Sequence, residues 1–368
     1  MQLPENQNVD TVHLQRLFDN KSESYKLFWF QAILEKVNEG KTHLSYDEII
    51  NYMIANAWSM VSEYRLDLGP SDTLEELVKE AFDNPDNQLK SSSKKNEIVD
   101  IISNSSDKAL KKKKQTLALN VPYRLQAPFL SDFNGKMWNG SKVTLAEKIN
   151  SQEELIYRFD KIDGLNSSIN VEEKWAEYFR ANYGILQGWV EYNLITYLQR
   201  RNPSVPGIPN KIYPPQSRNL DKVKKYWKAV IDVSNVKDIY LQKNMDKESI
   251  SIDHFIPWSY VSHDELWNLS PTTRSVNSSK SNNLPDWDIY FPRLAKLEYE
   301  ANKAVWKYDG LHKIFDDCAK EHVNSEDAKN RLYIKNIKEK AFYDGLEEIL
   351  LPSYMAAKNL GFRDGWCF

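Results

Sequence analysis

Glycine and cysteine are both scarce in this sequence. Only 12 of its 368 residues are glycine, about half the share found in an average protein, so tight β-turns must be few. The two cysteines, Cys318 and Cys367, are too few for a Cys₄ zinc ribbon or a disulfide framework, and they suit a reducing cytosol. We therefore expect a mostly helical chain whose core needs neither bound zinc nor disulfides.

Long apolar runs and a strong charge of one sign are also absent. No stretch reaches the roughly 18 apolar residues that a membrane-spanning helix needs, and the N-terminal MQLPENQNVD is polar rather than signal-like. The formal net charge is −3, so any surface for nucleic acid must be local. Hydrophobic residues make up 41% of the chain, which is enough for a sizeable core. We expect a cytoplasmic protein that does not bind a membrane.

Apolar residues recur at helical spacing through much of the chain. The stretch from Phe28 to Val61 is typical of two helices, and Ser45 with Glu48 has the spacing of a capping box at the start of the second. Ser151 with Glu154 repeats that signature and predicts a further helix start.

Two other regions carry specific expectations about regular structure. Between Asp83 and Gln115 the apolar content falls and Ser, Asn, Asp and Lys dominate, which favours a surface excursion. Near the C-terminus the pattern predicts a helix from Lys329 to Leu351 that ends at Pro352, because proline lacks the backbone N–H that a helix interior uses.

The composition changes abruptly between residues 200 and 228. Five of the 15 prolines lie between Pro203 and Pro215, which predicts an extended and stiff segment. The segment has eight basic residues and one acidic residue, a local net charge of +7, with aromatic residues interleaved. It could follow a phosphate backbone and stack on bases, but a basic linker between domains would have the same composition. The candidate nucleic-acid-binding residues are Arg200, Arg201, Lys211, Arg218, Lys222, Lys224, Lys225 and Lys228.

The stretch SISIDHFIPWSYVSHDELWNLSPTTRSVNSSKSNNLP, at residues 249–285, has a different pattern. Apolar residues alternate with serines in SISI, which predicts a short half-buried strand, and Pro257 ends it. LWNLSP is typical of a second strand, and Thr272 or Thr273 can cap a helix that follows. The predicted order is strand, loop, strand and helix. Three loop residues are interpreted as solvated, namely His263, Asp264 and Glu265.

Five polar side chains in this stretch suit the hydrolysis of a phosphodiester. Asp253 and Asn277 offer hard oxygen ligands, which suit Mg²⁺ or Mn²⁺ better than zinc. His254 titrates near neutral pH, so its imidazole can take a proton from an attacking water. Lys280 shares a helical face with Asn277 and supplies positive charge for the transition state. Asn268 can bind the loop backbone and hold His254 in orientation. Each residue alone is more often structural, but the combination at this spacing indicates a site.

These residues resemble the motif of the HNH endonucleases, which have a ββα-metal fold. DHFIP, WNL and NSSKSNNLP match that motif almost throughout. The third residue of the motif, a histidine in the family name, is Asn277 in this sequence. In this the motif is similar to the HNH domain of RNA-guided CRISPR effector nucleases. The resemblance implies that His254 is the general base, that Asp253 and Asn277 bind the metal, that Asn268 is the orienting residue, and that cleavage leaves a 5′-phosphate. Unlike many relatives, the preceding DIYLQKNMDKES has no paired cysteines for a structural zinc.

The predicted fold class is mainly α with a small α+β unit. Residues 1–199 form a helical N-terminal region for recognition or regulation, and residues 200–228 form a basic proline-rich linker. Residues 229–292 form the HNH ββα-metal nuclease domain, embedded in the helical chain. Residues 293–368 form a C-terminal region of packing helices.

The predicted function is that of a metal-dependent HNH endonuclease that hydrolyses DNA phosphodiester bonds with Mg²⁺ or Mn²⁺. Family association suggests a prokaryotic restriction or anti-phage setting, with a protein partner or a second copy of the chain. Two alternatives remain open. The basic segment would also suit an RNA or tRNA endonuclease, since it can follow single strands. The second alternative is a nucleic-acid-binding or scaffold protein whose HNH unit has lost catalysis.

Overall fold

The computed structural model describes residues 2–368. Helices take up 59% of the chain and strands 7%, which confirms the prediction of a mainly helical protein with a small share of sheet. The chain divides into two compact units. The first contains the chain up to Pro203 together with Lys211–Pro214, and the second contains Ser204–Asn210 and Pro215–Phe368. Among residues 2–368, no helix combines the length and the apolar character needed to span a bilayer.

The first unit combines helices with a three-stranded antiparallel sheet. Its helices are α1 (Thr11–Gln15), α2 (Tyr25–Asn38), α3 (Tyr46–Ser62), α4 (Thr73–Asp83), α5 (Lys95–Ser103), α6 (Lys108–Ala118), α7 (Val121–Arg124), α8 (Lys142–Asn150), α9 (Glu173–Ala181) and α10 (Tyr183–Arg201). Its strands are β1 (His43–Ser45), β2 (Tyr157–Lys161) and β3 (Ser168–Val171). Strand β3 lies in the middle and pairs with β1 and β2. The sequence pattern does not predict this sheet.

Two serines that have the same predicted role differ in the structure. Ser45 caps α3, since its Oγ accepts the backbone N–H of Glu48 at 3.2 Å, and this helix start is confirmed. Ser151 instead follows α8 as its C-cap residue, so the helix predicted to begin there is wrong. Arg158 of β2 shows why: its guanidinium donates to the carbonyl oxygen of Gln152 at 3.1 Å, which ties the residues after α8 to the strand.

The polar stretch from Asp83 to Gln115 lies largely at the surface, as expected, but it contains regular structure, namely α5 and most of α6. Ile98 and Ile102 lie one turn apart on α5 and are both buried. Asp107 caps α6 by accepting the backbone N–H of Ala109 at 2.8 Å. A few correctly spaced apolar residues and one cap are therefore enough for these helices despite the polar composition.

The second unit packs helices against a two-stranded antiparallel sheet. Its helices are α12 (Asp221–Val233), α13 (Trp258–Val261), α14 (Arg274–Lys280), α15 (Trp287–Lys307), α16 (Asp309–His322), α17 (Glu326–Leu332) and α18 (Glu339–Asn359), and its strands are β4 (Ile250–His254) and β5 (Leu269–Thr273). The short helix α11 (Ile208–Lys211) has residues of both units, since residues 208–210 belong to the second unit and Lys211 to the first. One apolar core joins the helices to the sheet. Within it, Trp227 of α12 is fully buried and its Nε1 donates to the Leu269 carbonyl of β5 at 3.0 Å.

Two helices of the second unit contain an internal proline. Pro292 lies in α15 and Pro352 lies in α18, and both side chains are exposed. The prediction that Pro352 ends the last helix is therefore wrong. A proline on the solvent side leaves a carbonyl group unbonded where water can reach it, so the helix can continue. The predicted single helix from residue 329 is also two helices, α17 and α18.

The basic segment at residues 200–228 is not extended throughout. Residues 200 and 201 belong to α10, residues 208–211 form α11, and α12 begins at Asp221. The residues between these helices, where most of the prolines lie, form neither helix nor strand.

The C-terminal residues pair with the chain just after α14. The backbone N–H of Leu284 donates to the Arg363 carbonyl at 2.8 Å, and the Trp366 N–H donates to the Leu284 carbonyl at 3.0 Å. The Asp286 N–H in turn donates to the Trp366 carbonyl at 2.9 Å. The tail therefore holds the segment that links α14 to α15.

Candidate active site

Strands β4 and β5 form the small sheet that carries Asp253 and His254. The strands pair in antiparallel register from Ile250 opposite Thr273 to His254 opposite Leu269. Helix α14 follows β5 directly, and Thr273 caps it by accepting the Val276 N–H at 3.3 Å. The helix therefore starts at the end of β5, from where it returns along β4.

Two side chains of α14 bind the backbone of β4. The amide nitrogen of Asn277 donates to the Ile252 carbonyl at 2.8 Å and to the Ser251 hydroxyl at 2.9 Å. The Lys280 ammonium donates to the His254 carbonyl. These contacts bring Asn277 and Lys280 to the same strand as Asp253 and His254, as their spacing of three residues on a helix requires.

Asp253 is 2% exposed and shares its two carboxylate oxygens between two partners. Lys280 Nζ, which is fully buried, lies 3.2 Å from Oδ1, and the Tyr240 hydroxyl donates to Oδ2 at 2.6 Å. Burial lowers the pKa of the Lys280 ammonium, and Asp253 acts in the opposite direction. The carboxylate is therefore held in a fixed position by a positive charge and a hydroxyl group.

Asp238 supports the turn that carries Tyr240. Its Oδ1 accepts the Tyr240 backbone N–H at 2.7 Å, and its Oδ2 accepts the Thr272 hydroxyl at 2.7 Å. Asp238 is 1% exposed, so this hydrogen-bonded turn is part of the core. Hydrogen bonds and packing thus hold the turn to β5.

His254 lies between a carboxylate and a guanidinium. Its Nε2 is 2.7 Å from Asp264 Oδ1, and Arg218 Nη1 is 3.3 Å from both ring nitrogens. Arg218 also lies 3.4 Å from Asp264 Oδ1 and packs its guanidinium over the Trp258 ring at 5.0 Å. Burial lowers the pKa of His254 and Arg218 acts in the same direction, whereas Asp264 acts to raise it. The net effect favours a neutral imidazole.

Asn268 shapes the turn that follows His254. Its Oδ1 accepts the Ile256 N–H at 2.8 Å, its Nδ2 donates to the Ile256 carbonyl at 2.9 Å, and its own carbonyl accepts the Phe255 N–H. Asn268 is fully buried. The side chain thus binds the loop backbone two residues after His254 and makes no hydrogen bond to the imidazole itself.

The interpretation of the inter-strand loop as solvated is wrong for two of its residues. Asp264 binds His254 and its side chain is 21% exposed. Glu265 is 7% exposed, and its carboxylate accepts the backbone N–H and the side-chain amide of Asn324. The ring of His263 packs against Trp267 at 5.4 Å. The sequence offers one signal for Asp264, a carboxylate ten residues after the histidine, but only loop closure makes it a contact.

Three of the eight predicted nucleic-acid-binding residues belong to the first unit. Lys211 is fully buried, and burial lowers its pKa to about 7. Arg201 packs on the Tyr197 ring and donates to the Ser22 carbonyl. Arg200 is exposed at the end of α10. Of these three, Lys211 has no surface through which to meet a phosphate.

The other five basic residues belong to the second unit. Lys224 and Lys225 are exposed on α12. Lys222 pairs with Asp317 and Glu321, and Lys228 pairs with Glu248, so part of their charge is balanced. Arg218 differs from all of these, because it contacts the candidate base His254 directly.

Asp253 and Asn277 offer oxygen atoms of the kind that Mg²⁺ and Mn²⁺ prefer. The two bonds of Asn277 use its amide nitrogen, and they leave its Oδ1 unengaged. A carboxylate has about four acceptor positions, of which Tyr240 and Lys280 take two at Asp253. Within residues 2–368, no group of three or more His, Cys, Asp or Glu is arranged to hold a metal ion. The hard oxygens of Asp253 and Asn277 suit a cation such as Mg²⁺, which takes its remaining ligands from water or phosphate.

Searches among curated proteins and among solved structures found no match for the chain. The family model of the HNH endonucleases matches residues 237–286, which include the turn at Asp238, both strands of the second sheet and α14. This match confirms the resemblance that the motif indicates. Residues 237–286 are thus similar to the HNH endonucleases, which suggests a nuclease in general.

Proposed function

We propose that this protein is a metal-dependent endonuclease that hydrolyses DNA phosphodiester bonds in an active site that contains His254. The observation that carries the proposal lies within the segment that matches the HNH endonucleases. There, Asn277 and Lys280 of α14 contact the strand β4, which holds Asp253 and His254. Strands β4 and β5 with α14 then correspond to the ββα-metal unit of that family.

His254 acts in this proposal as the general base. A neutral imidazole accepts the proton of the attacking water, and the hydrogen bond to Asp264 fixes its orientation. Asn268 holds the turn after His254, so the ring stays at the end of β4. Lys280 is fully buried and bound to Asp253 and to the His254 carbonyl. We assign it the task of offsetting negative charge at the site through its field, without touching the substrate.

Asp253 and Asn277 would hold the divalent cation, Mg²⁺ or Mn²⁺. When bound, such a cation polarises the phosphodiester and stabilises charge on the leaving oxygen. Tyr240 and Lys280 keep the Asp253 carboxylate in place, and the bonds from the Asn277 amide nitrogen to β4 fix the amide plane. Each of the two proposed oxygen donors is thus held in place by its own hydrogen bonds.

The substrate proposal rests on charge and on family association. Arg218, Lys224 and Lys225 are the basic residues of the second unit that we propose meet the phosphate backbone, with Arg218 nearest to His254. Arg218 is 35% exposed, so its guanidinium can exchange Asp264 for a phosphate. RNA remains the alternative substrate, because these contacts do not read the sugar.

The remaining regions receive broader roles. We propose that the helical region at residues 1–199 recognises a target, a protein partner or an activating signal, and that the protein acts in the cytoplasm in restriction or phage defence. A single HNH unit has one active site, so cutting both strands would require a second copy of the chain or two successive events.

The test is a cleavage assay on plasmid, linear duplex, single-stranded DNA and RNA, with Mg²⁺, with Mn²⁺ and with EDTA. We expect cleavage of DNA that stops in EDTA, and we expect His254→Ala to be about 10²–10⁴-fold slower because it lacks the proton acceptor. His43→Ala is the matched control, since His43 is exposed on β1 of the first unit. It should cut like the parent.

Three results would count against the proposal. If His254→Ala cut as fast as the parent with the same metal, the assigned mechanism would be wrong. Cleavage of RNA alone would favour the RNA endonuclease. A parent protein that binds nucleic acid but cuts none of the four substrates would favour the catalytically silent alternative.

A further inference from the structure

The hydrogen bond between His254 and Asp264 determines which ring nitrogen carries the proton. Asp264 Oδ1 lies 2.7 Å from His254 Nε2, and a carboxylate oxygen can only accept a hydrogen bond. Nε2 must therefore be the protonated nitrogen of a neutral His254. The lone pair that could take a proton from water is then on Nδ1.

Arg218 does not take up that lone pair. Its Nη1 lies 3.3 Å from both Nδ1 and Nε2 of His254. A position in the ring plane at equal distance from both nitrogens would collide with the Cε1 atom between them. Nη1 must therefore lie over the face of the ring, whereas the lone pair of Nδ1 lies in the ring plane. Arg218 can stack on the imidazole and leave Nδ1 able to accept a proton.

Asp264 is fixed in place although it lies in a loop. Ser262, which ends α13, has a left-handed backbone with φ of 55°, and this sharp reversal turns the loop back. The Asp264 carbonyl accepts a hydrogen bond from His322 Nδ1 at 2.7 Å. The next residue, Glu265, binds Asn324 through its carboxylate at 2.8 Å. The loop is therefore anchored by His322, the last residue of α16, and by Asn324, two residues later.

We propose that Asp264 is the positioning residue of the candidate active site: it holds His254 as the Nε2-protonated tautomer and so makes Nδ1 the atom that takes the proton from water. This inference rests on the proposed function, because it assigns a task within the same reaction. Asp264 touches neither the cation site nor the reacting atoms in this assignment, and acts only through the imidazole. The sequence pattern gives it no such role.

A purely structural role for Asp264, as the ion-pair partner of Arg218, would lead to different experimental results. If Asp264 served only to balance Arg218, replacing it by asparagine would change stability and leave the tautomer of His254 unaffected. The distances favour the positioning role, since Asp264 Oδ1 is 2.7 Å from His254 and 3.4 Å from Arg218.

The experiment compares Asp264→Asn, Asp264→Glu and the control Asp344→Asn, which changes an exposed carboxylate on α18 of the same unit. The tautomer of His254 is read from long-range ¹H–¹⁵N correlation spectra of the full chain. Single-turnover cleavage of duplex DNA, duplex affinity without divalent cation, and the thermal midpoint are measured on the same samples.

We expect the Nε2-protonated tautomer in the parent, in Asp264→Glu and in Asp344→Asn. The amide of Asp264→Asn can donate as well as accept, so this variant should lose the single tautomer and cleave about 100-fold more slowly. Duplex affinity should be no lower than that of the parent, because the substitution leaves Arg218 without its acidic partner. Asp264→Glu keeps an acceptor and should recover about tenfold or more of that rate.

The outcomes separate this inference from the proposed function. A parent that cleaves, together with an Asp264→Asn variant that cleaves at the parent rate, overturns the inference and leaves the proposed function standing. An Nδ1-protonated His254 in the parent overturns the inference even if Asp264→Asn fails to fold. A parent that cuts none of the four substrates refutes the proposed function, and the role of Asp264 falls with it.

Discussion

The two units of the chain treat buried charge differently. In the first unit, the buried Lys114 pairs with Asp47, whose side chain is 34% exposed, and the buried Lys36 pairs with Glu39, whose side chain is 50% exposed. In the second unit, Lys280 and Asp253 pair with side-chain exposures of 0% and 3%. In these two pairs of the first unit the acidic partner reaches water, whereas in the second unit both charges of the pair are removed from water.

This difference bears on the cost of the candidate site. A pair that reaches water costs little to form and contributes little, whereas a fully buried pair carries a desolvation cost that its attraction often fails to exceed. The second unit carries that cost on the strand that also holds His254. An ion pair with both members buried therefore distinguishes the candidate site more clearly than the number of charged residues does.

The largest expected effect is the loss of stability when Lys280 is replaced. Lys280→Met should destabilise the second unit by about 3–5 kcal/mol, because it leaves the Asp253 carboxylate buried without its positive partner. Lys114→Met in the first unit should cost about 1 kcal/mol, since Asp47 can be hydrated instead. The measurement is denaturant unfolding combined with hydrogen exchange, which assigns the loss to one unit. Equal costs for the two substitutions would contradict the comparison.

Replacing the buried carboxylate of the first unit should have a smaller effect, and only on stability. Asp72 is 2% exposed, like Asp253, but it accepts hydrogen bonds from Ser24 and from the backbone N–H groups of Leu74 and Glu75 at the start of α4. Asp72→Ala should therefore cost about 2 kcal/mol by removing a helix cap.

The cleavage rate should distinguish Asp72 of the first unit from Asp253 of the second. The folded fraction of Asp72→Ala should cut DNA at the parent rate, whereas Asp253→Ala should not cut. The comparison uses thermal unfolding and the plasmid assay on both variants. A loss of cleavage in fully folded Asp72→Ala would show that the first unit contributes directly to the reaction.

The smallest expected effect concerns exposed lysines. Reversing the charge of Lys224 and Lys225 on α12 should weaken duplex binding about tenfold at low salt and reduce the salt slope by about two, because two phosphate contacts are lost. The matched control reverses Lys111 and Lys112, which are exposed on α6 of the first unit. Binding is measured by fluorescence anisotropy across a salt series. An identical slope for both double variants would mean that α12 has no special role in binding.

Local patterns in the sequence were sufficient for the elements that form the candidate site. The alternation in SISI corresponds to β4, and Thr273, one of the two predicted caps, is the cap of α14. The predicted strand LWNLSP is correct only in its second half, since Leu266–Asn268 form a 3₁₀ turn and β5 runs over Leu269–Thr273. These elements follow one another within 31 residues and pair with their neighbours in sequence. Because every contact among them is short in sequence, strand periodicity and helix spacing already determine which side chains can meet.

The contacts that the sequence did not reveal are made between distant segments. Strand β3 pairs with β1 across more than 120 residues, and neither strand is long enough to show an alternating pattern. Asp264 reaches His254 only because Ser262 reverses the chain and His322 of α16 holds the loop. Proline inside α18 depends likewise on the side of the helix that faces water. None of these conditions is visible in a local window.

The pairing of the C-terminal tail with Leu284 and Asp286 has a consequence for biosynthesis. The segment that leaves α14 is held by residues that the ribosome adds almost 80 positions later. While α15 to α18 are still being translated, the nascent polypeptide lacks this brace as well as the His322 anchor. The order of synthesis therefore delays completion of the candidate nuclease until the residues up to Trp366 have been made.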